Sequence, residues 1–340
     1  MSESLKSEFT IALDAMGGDL GPEIVILAAR ESLEKHENLR IVFFGKEKEL
    51  DALCKKNIND QKRINIVDAQ DVVEMSDSPV DSIRNKKNSS MRIALDYVKE
   101  KKADACVSAG NTGALMATAK FVFKMLPGIN RPAIIAELPA KKKTVHMLDL
   151  GANITNDPEQ LFQFALMGSI VSSDICDILN PKIALLNIGE EDLKGNENVK
   201  NAAHLLSQSS LNYIGFIEGN EIFSGKTDVV VTDGFSGNIA LKSIEGTVEF
   251  VTSSLTHAYK KNWLTRLQAL ITKSVLSDLM MTMDSRKYNG ASLVGLDGIV
   301  IKSHGGADSF AFHHAIETAI VEVKHQVPNQ IRSLLEKERS

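Results

Sequence analysis

The chain has 340 residues, 43% hydrophobic and 24% charged, which supplies core for one large domain or two and gives no sign of disorder. A net charge of -5 excludes the global positive field that drives nucleic-acid binding, so no nucleic-acid partner is expected. Cys54, Cys106 and Cys176 are odd in number and widely spaced, which argues against a disulfide framework or thiolate metal cluster and fits a reducing cytoplasm.

Residues 1–10 lack the apolar region of a signal peptide, and no run reaches the roughly 18 apolar residues of a membrane span, so any membrane contact is expected to be peripheral. Short apolar runs bounded by turn residues predict strands at 9–13, 40–44, 63–67, 105–107, 133–138, 145–148, 183–188, 213–217, 229–231 and 299–301. Helical spacing predicts helices over 23–35, 90–101, 114–123, 158–172, 198–207 and 308–324. Several helix starts are marked: Pro22 after Gly21, Ser89-Ser90 before Met91, and Asp157-Pro158 before Glu159. The alternation implies right-handed crossovers and a mostly parallel sheet in an α/β/α sandwich. Residues 141–143 read as a hairpin turn. Residues 235–283 carry no strand pattern and read as two long helices broken near Asn262, with 240–283 projecting from a single 1–340 domain.

Four of the strands stop in glycine- and amide-rich turns, at 14–19, 108–113, 149–153 and 232–238. In open α/β sheets ligands sit beyond the carboxyl ends of the strands, where amides at the next helix start bind anions, so a shared cavity for a phosphate-like group is expected. Gly17 and Gly18 let the backbone approach a ligand between Asp14 and Asp19, although a tight turn capped by Asp19 has the same wording. A dinucleotide site would need GxGxxG here and an acid ending the second strand; Gly45-Lys46 stands there, which disfavours a nicotinamide dehydrogenase.

Asn111, Thr112 and Gly113 open a helix with amide and side-chain donors, and are equally ordinary capping residues. Asp233, Gly234, Ser236, Gly237 and Asn238 repeat that design. Lys194 stands among Glu190, Glu191, Asp192 and Glu197, where a solvated surface charge is the plain reading. Lys302 and His304 follow a strand, and His304 suits proton donation, anion binding or a structural hydrogen bond. No HExxH or comparable spacing marks a metal site, and none is expected.

Arg84, Lys86, Lys87 and Arg92 form a basic stretch that either steers an acidic partner or is simply solvated. In 260–273, Lys260, Lys261, Arg266 and Lys273 accompany Trp263, Leu264, Leu267, Leu270 and Ile271 at helical spacing. That element suits a membrane interface and a dimer contact equally.

Taken in order, DAMGGD at Asp14, KKNSSM at Lys86, SAGNTGALMA at Ser108, RPA at Arg131, LDLGAN at Leu148, LLNIGEEDLKGNE at Leu185, FIEGNEIFSGKTDVVVTDGFSGN at Phe216 and VIKSHGGAD at Val300 resemble the bacterial acyl-[acyl-carrier-protein]:phosphate acyltransferase family of phospholipid synthesis. Asn88, where aspartate is common, and residues 288–292, less rich in glycine and proline than usual, depart from that wording. The resemblance implies attack of inorganic phosphate on the thioester of a fatty acyl-carrier protein, giving acyl phosphate and free carrier protein. It also implies a cytoplasmic homodimer, peripheral at the membrane, related in fold to phosphotransacetylases and isopropylmalate dehydrogenases and needing no cofactor. A membrane glycerol-3-phosphate acyltransferase would consume the product.

On this reading Asp14, Gly17, Gly18, Asn111, Thr112, Gly113, Asn153, Asp233, Gly234, Ser236, Gly237 and Lys302 bind phosphate and substrate. Asn111, Asn153 and Asn238 are candidate donors to the developing oxyanion, and Lys194 and His304 are expected at the departing thiolate. No serine or cysteine nucleophile is required, because phosphate is itself the nucleophile. The basic stretch would dock the acidic carrier protein, and the helical projection would shelter the acyl chain. A phosphotransacetylase using a coenzyme A thioester is the alternative enzyme, and a silent membrane-recruited scaffold the alternative of another class.

Overall fold

The computed structural model describes residues 8–141, 143–176, 178–191 and 193–339. Most of the segment read for a signal peptide, residue 142 in the expected hairpin turn, Asp192 and the side chain of Cys176 lie outside the described residues. The first half of the chain runs β1 (Phe9–Asp14), α1 (Pro22–Lys35), β2 (Leu39–Gly45), α2 (Glu47–Asn57), β3 (Ile64–Asp68), α3 (Pro79–Asn85), α4 (Ser90–Lys99), β4 (Ala105–Ser108) and α5 (Thr112–Phe123). The chain continues through β5 (Ala133–Ala140), β6 (Lys143–Leu148), α6 (Pro158–Cys176), β7 (Ile183–Leu186), α7 (Glu197–Ser207), β8 (Tyr213–Ile217) and β9 (Val229–Val231). Then come α8 (Gly234–Lys260), α9 (Trp263–Ile271), α10 (Lys273–Met283), β10 (Ala291–Val294), β11 (Ile299–Lys302), α11 (Ser309–His325) and α12 (Val327–Arg339).

The strands are nearly continuous apolar runs because both faces of the sheet are covered. One face is packed by α4, α5 and the start of α8, where Ala240 and Leu241 join the core. The other face is packed by α1 and α11 over one half and by α6, α7 and α12 over the other. Local sequence sets the helix starts: Ser89 caps α4 at Arg92 N, and Asn196 caps α7 at Val199 N.

The sheet order is β3-β2-β1-β4-β11-β10-β5-β6-β9-β7-β8. Seven of its ten pairings are parallel, and the three antiparallel ones, β11 with β10, β10 with β5 and β5 with β6, lie together in the middle. Three successive reversals make the β6-β9-β7-β8 block run opposite to β3-β2-β1-β4-β11. β10 escapes the sequence reading because ASLV opens on a small and a polar residue and stands between Gly290 and Gly295, both at positive φ, so it reads as part of a turn. Because β10 is antiparallel to both neighbours, β11 and β5 run the same way, and the β5–β6 hairpin decides where the later polar turns go.

The expected pair of helices at 235–283 is three. Asn262 ends the first run as the cap of α9, in a reciprocal box with Thr265, and Thr272 separates α9 from α10. No residue of α9 or α10 is buried, and Trp263 is 72% and Ile271 76% exposed.

Candidate active site

Asp14, Ser108 and Lys302 end three neighbouring parallel strands in direct register, Asp14 opposite Ser108 and Ser108 opposite Lys302. Paired positions in a parallel ladder face the same side, so the three polar groups share the face covered by α4, α5 and α8. The Ser108 hydroxyl donates to Asp14 Oδ2 at 2.6 Å and accepts from Gly110 N at 3.1 Å. Met16 N and Gly17 N donate to Asp14 Oδ1 at 3.3 and 3.2 Å. Burial pushes the Asp14 carboxyl above its ordinary range, opposed by these bonds and one from Ser90.

Lys302 is 9% exposed, and its ammonium donates to Ala109 O at 3.3 Å and to Ser303 O. Burial lowers the ammonium to about 8, against the attraction of Asp14 and Asp19 and with added repulsion from Lys242 on α8. A cation with so little water is a strong partner for an incoming anion. The loop after it is pinned by Asn289, whose Oδ1 accepts from His304 N at 2.9 Å and whose Nδ2 donates to Ser303 Oγ at 2.8 Å. Gly306 N donates to His304 Nδ1 at 3.1 Å, and His304 is exposed.

The turns around this centre are packed backbone to backbone. A Cβ on Gly17 would lie 2.7 Å from Asp14 Oδ2 and 2.8 Å from Gly110 N, and one on Gly18, at φ +92, would lie 3.1 Å from Gly305 O. Asp19 N donates to Gly305 O at 2.8 Å. Asn111 is consumed as a cap: it accepts from Ala114 N at 3.0 Å and donates to Met75 O at 2.7 Å. Thr112 and Gly113, exposed in the first helical turn, present main-chain donors there instead.

The second pair of turns is built around Asp149. Its oxygens accept from Ile134 N, Gly151 N, Ala152 N, Asn153 N and Asn153 Nδ2, at 2.8 to 3.1 Å. Burial raises this carboxyl too. Asn153 Nδ2 also donates to Pro132 O at 2.8 Å, so both donors of that side chain are engaged. Asp233 caps α8 through Ser236 N at 2.8 Å and Ser236 Oγ at 2.9 Å. Gly234 and Gly237 leave no room for a Cβ against Asn153 O and Asp149 O. Asn238 is exposed beside Gly151 and makes no side-chain hydrogen bond among the described residues.

The expectation that all four turns share one cavity does not hold within a chain. Because the second block of strands runs backwards, the 14–19 and 108–113 turns leave one edge of the sheet and the 149–153 and 232–238 turns the other. β11 and β9 stand four strand spacings apart, about 19 Å at ~4.8 Å each. Lys194 follows β7 on the Asn238 edge, and His304 follows β11 on the opposite edge, so one chain does not bring them together. Lys194 is exposed on a loop tightened by the bond from Asn187 Nδ2 to Lys194 O at 3.2 Å. α8 links the two groups: it starts at Gly234, capped by Asp233, and carries Lys242 into the field of Lys302.

Of the basic stretch, Lys86 is tied to Val72 O and Asp77, and Arg92 to Asp96 at 2.8 Å with its guanidinium over Phe121. Arg84 and Lys87 are exposed and have no ion pair among the described residues. Sequence reasoning missed Ser108, Asn289 and Lys242. A hydroxyl ending the strand beside Asp14 was a readable signal for the first; the other two depend on β10 and on the path of α8. Among the described residues no cluster is placed to hold a metal ion, and no helix is long and apolar enough to cross a membrane.

The sequence model of the family described as "Fatty acid synthesis protein" matches residues 9–330. "Phosphate acyltransferase" of Nitrosococcus oceani is 51% identical over 328 residues, covering 96% of each chain, and that of Methylococcus capsulatus is 52% identical over 325 residues, covering 95% of each. Among solved structures, the phosphotransacetylase from Streptococcus pyogenes has a TM-score of 0.61 at 18% identity, covering 94% of this chain and 95% of that one. The EutD phosphotransacetylase from Staphylococcus aureus has 0.60 at 18% identity, covering 95% and 96%. At that identity the structures establish the shared α/β architecture. By sequence, this chain belongs to the fatty acid synthesis protein family, alongside proteins called phosphate acyltransferase.

Proposed function

We propose that the protein transfers a fatty acyl group from acyl-carrier protein to inorganic phosphate, forming acyl phosphate for phospholipid synthesis. The observation that carries the reading is the buried Lys302 ammonium in register with Asp14 and Ser108, at the same sheet edge as the amides of Gly18, Thr112 and Gly113. A phosphate oxygen forms the new bond to the thioester carbon, the carbon–sulfur bond breaks, and the thiolate takes up a proton. A cysteine-like thiol has a pKa near 8.5, so a nearby cation or proton donor suffices for that departure. Asn238, with its uncommitted amide, is the proposed oxyanion donor, and Lys194 and His304 are assigned to the sulfur side.

Lys194 and His304 lie on opposite sheet edges of one chain, which favours a homodimer in which the edges of two copies meet. Mixing inactive Lys302→Met and Lys194→Met proteins tests this: activity regained in mixed dimers supports it, and its absence despite subunit exchange overturns it. Arg84 and Lys87 are proposed to dock the acidic carrier protein. The apolar face of Trp263, Leu264, Leu267 and Leu270 is proposed to rest on the cytoplasmic membrane surface, close to the glycerol-3-phosphate acyltransferase that consumes the product. Glutamate at Trp263 and Leu267 should release the protein from anionic liposomes, and unchanged binding would reassign that face to a dimer contact.

The deciding experiment incubates the protein with acyl-carrier thioester and phosphate and traps the product with hydroxylamine. Phosphate-dependent hydroxamate is expected; a covalent acyl-protein adduct formed during turnover would sink the mechanism. Equal turnover with coenzyme A thioesters of the same chain length would move the assignment to a phosphotransacetylase.

A further inference from the structure

On the face of the sheet opposite Asp14 and Lys302, a cavity of about 200 Å³ lies between α6 and α11 over β5, β6 and β10. Glu322 of α11 lines it at 2% exposure, and its Oε1 has no hydrogen-bond partner among the described residues. Its carboxyl shares a hydrogen bond with the buried Ser292 and is pushed up to about 7 by burial. A buried carboxyl oxygen without a partner is costly, and a donor entering the cavity would relieve it.

The other titratable groups of the lining fix the sign of that donor. β5 supplies Glu137 and β6 supplies His146; residues 287 and 288 supply Lys287 and Tyr288; α11 adds His314 and Glu317; α6 contributes Val171 and Ile175, which are apolar. Burial lowers both His146 and His314, which keeps the imidazoles neutral near pH 7, and raises the Tyr288 phenol. Three carboxyl groups therefore face one ammonium, Lys287, with Glu317 held from outside the cavity by Lys35 at 2.6 Å and His36 at 2.9 Å. With Glu317 neutralised from outside, Glu137 and Glu322 outnumber Lys287 once Glu322 is ionised above about pH 7, and the apolar walls suit a short methylene body. At the ~30 Å³ that a water occupies, the volume takes on the order of six heavy atoms.

We propose that this cavity is a second binding site, distinct from the reaction centre, for a short aliphatic amine whose ammonium bonds Glu322. Its wall joins the reaction centre through Asn289, which donates to Ala311 O at 2.8 Å and holds the His304 loop from the other side of the sheet. Gly290, at φ +120, is pressed against α11, where a Cβ would lie 2.8 Å from Ala315 Cα. Occupancy that shifts residues 288–290 is thus transmitted to His304.

The probe is putrescine, titrated calorimetrically into the full-length protein, with Glu322→Gln as the near-isosteric variant and the thermal midpoint of each protein as a fold control. Saturable binding that weakens at least tenfold in Glu322→Gln is expected, tightening as pH rises through about 7 because the carboxylate forms while the amine stays charged. Absence of saturable binding across a millimolar probe range, or equal binding by a folded Glu322→Gln protein, would overturn the proposal. Binding is read without any acyl substrate, so this outcome is independent of the proposed reaction.

Discussion

Asp14 and Asp149 have the same local wording, an aspartate at or just beyond a strand end followed by glycine two or three residues on, yet they are put to different use. Every acceptor of Asp149 is taken by donors of its own scaffold, the amides of Ile134, Gly151, Ala152 and Asn153 and the Asn153 side chain. Asp14 spends its oxygens on two amides and on the hydroxyls of Ser90 and Ser108, and the strand partner of Ser108 is Lys302. One turn is a knot and the other is an electrostatic device. A buried carboxylate becomes chemically available only where a cation with spare donors stands in register beside it.

The largest expected effect breaks the knot. Asp149→Ala strands several buried amides, each costing roughly 1–3 kcal/mol before water enters, so a loss of about 4 kcal/mol in urea unfolding is expected. A protein of full stability but no activity would reverse the contrast and make Asp149 the chemical residue.

Lys302→Met removes the cation and should lower kcat/KM for phosphate about 100-fold, near 3 kcal/mol of transition-state stabilisation. Stability should hold or rise. A lysine depressed to about 8 when folded, against ~10.4 unfolded, carries fewer protons in the native state, so it costs stability below pH 8 and that cost fades as pH climbs toward 10. The same titration predicts that the wild-type rate falls about tenfold per unit once pH exceeds about 8, as the ammonium is lost. A Lys302→Arg protein that keeps this alkaline limb would exonerate Lys302, because a guanidinium holds its proton throughout that range.

The asparagines extend the contrast to side chains. Asn238→Ala should lower kcat by about tenfold to a hundredfold, toward the lower end for an oxyanion donor, and leave the unfolding midpoint unchanged. Asn153→Ala should do the opposite, losing about 1–2 kcal/mol of stability through its bonds to Asp149 and Pro132. Equal stability losses in the two variants would erase the distinction.

All ten predicted strands and the parallel majority were legible because strands buried on both faces announce themselves as apolar runs. α2 was not, since EKELDALCKKN buries only Leu50 and Cys54 and its stripe is too narrow to see. The missed β10 left the sheet order unreadable, because it joins β11 to β5 and leaves those two running the same way. The reversal that sends two of the four polar turns to the opposite edge is the β5–β6 hairpin, which the turn at 141–143 does announce. The residues of the site were therefore readable one turn at a time, through glycine and cap chemistry, while their grouping depended on which strands pair with β6 after the 141–143 hairpin, a long-range pairing that no local pattern encodes. Asn111 and Asn153 show the other limit. Capping and binding use the same amide, and only the geometry tells which has been chosen.

The smallest expected effect applies the same test to the cations. Arg84 and Lys87 are exposed and unpaired among the described residues, whereas Lys86 is held by Val72 O and Asp77. Free charges act at long range and are screened by salt, with a Debye length of about 10 Å at 0.1 M shrinking to about 3 Å at 1 M. Reversal to glutamate at 84 and 87 together should raise KM for the acyl-carrier substrate about tenfold at low salt, leave kcat intact, and lose its effect as salt approaches molar. Lys86→Gln should instead lower the unfolding midpoint slightly and leave KM alone, because its charge is already neutralised by Asp77, whose carboxyl that bond holds below its ordinary range. If Lys86→Gln raises KM as much as the double reversal does, paired and unpaired cations are not functionally distinct here, and docking must be sought on another face.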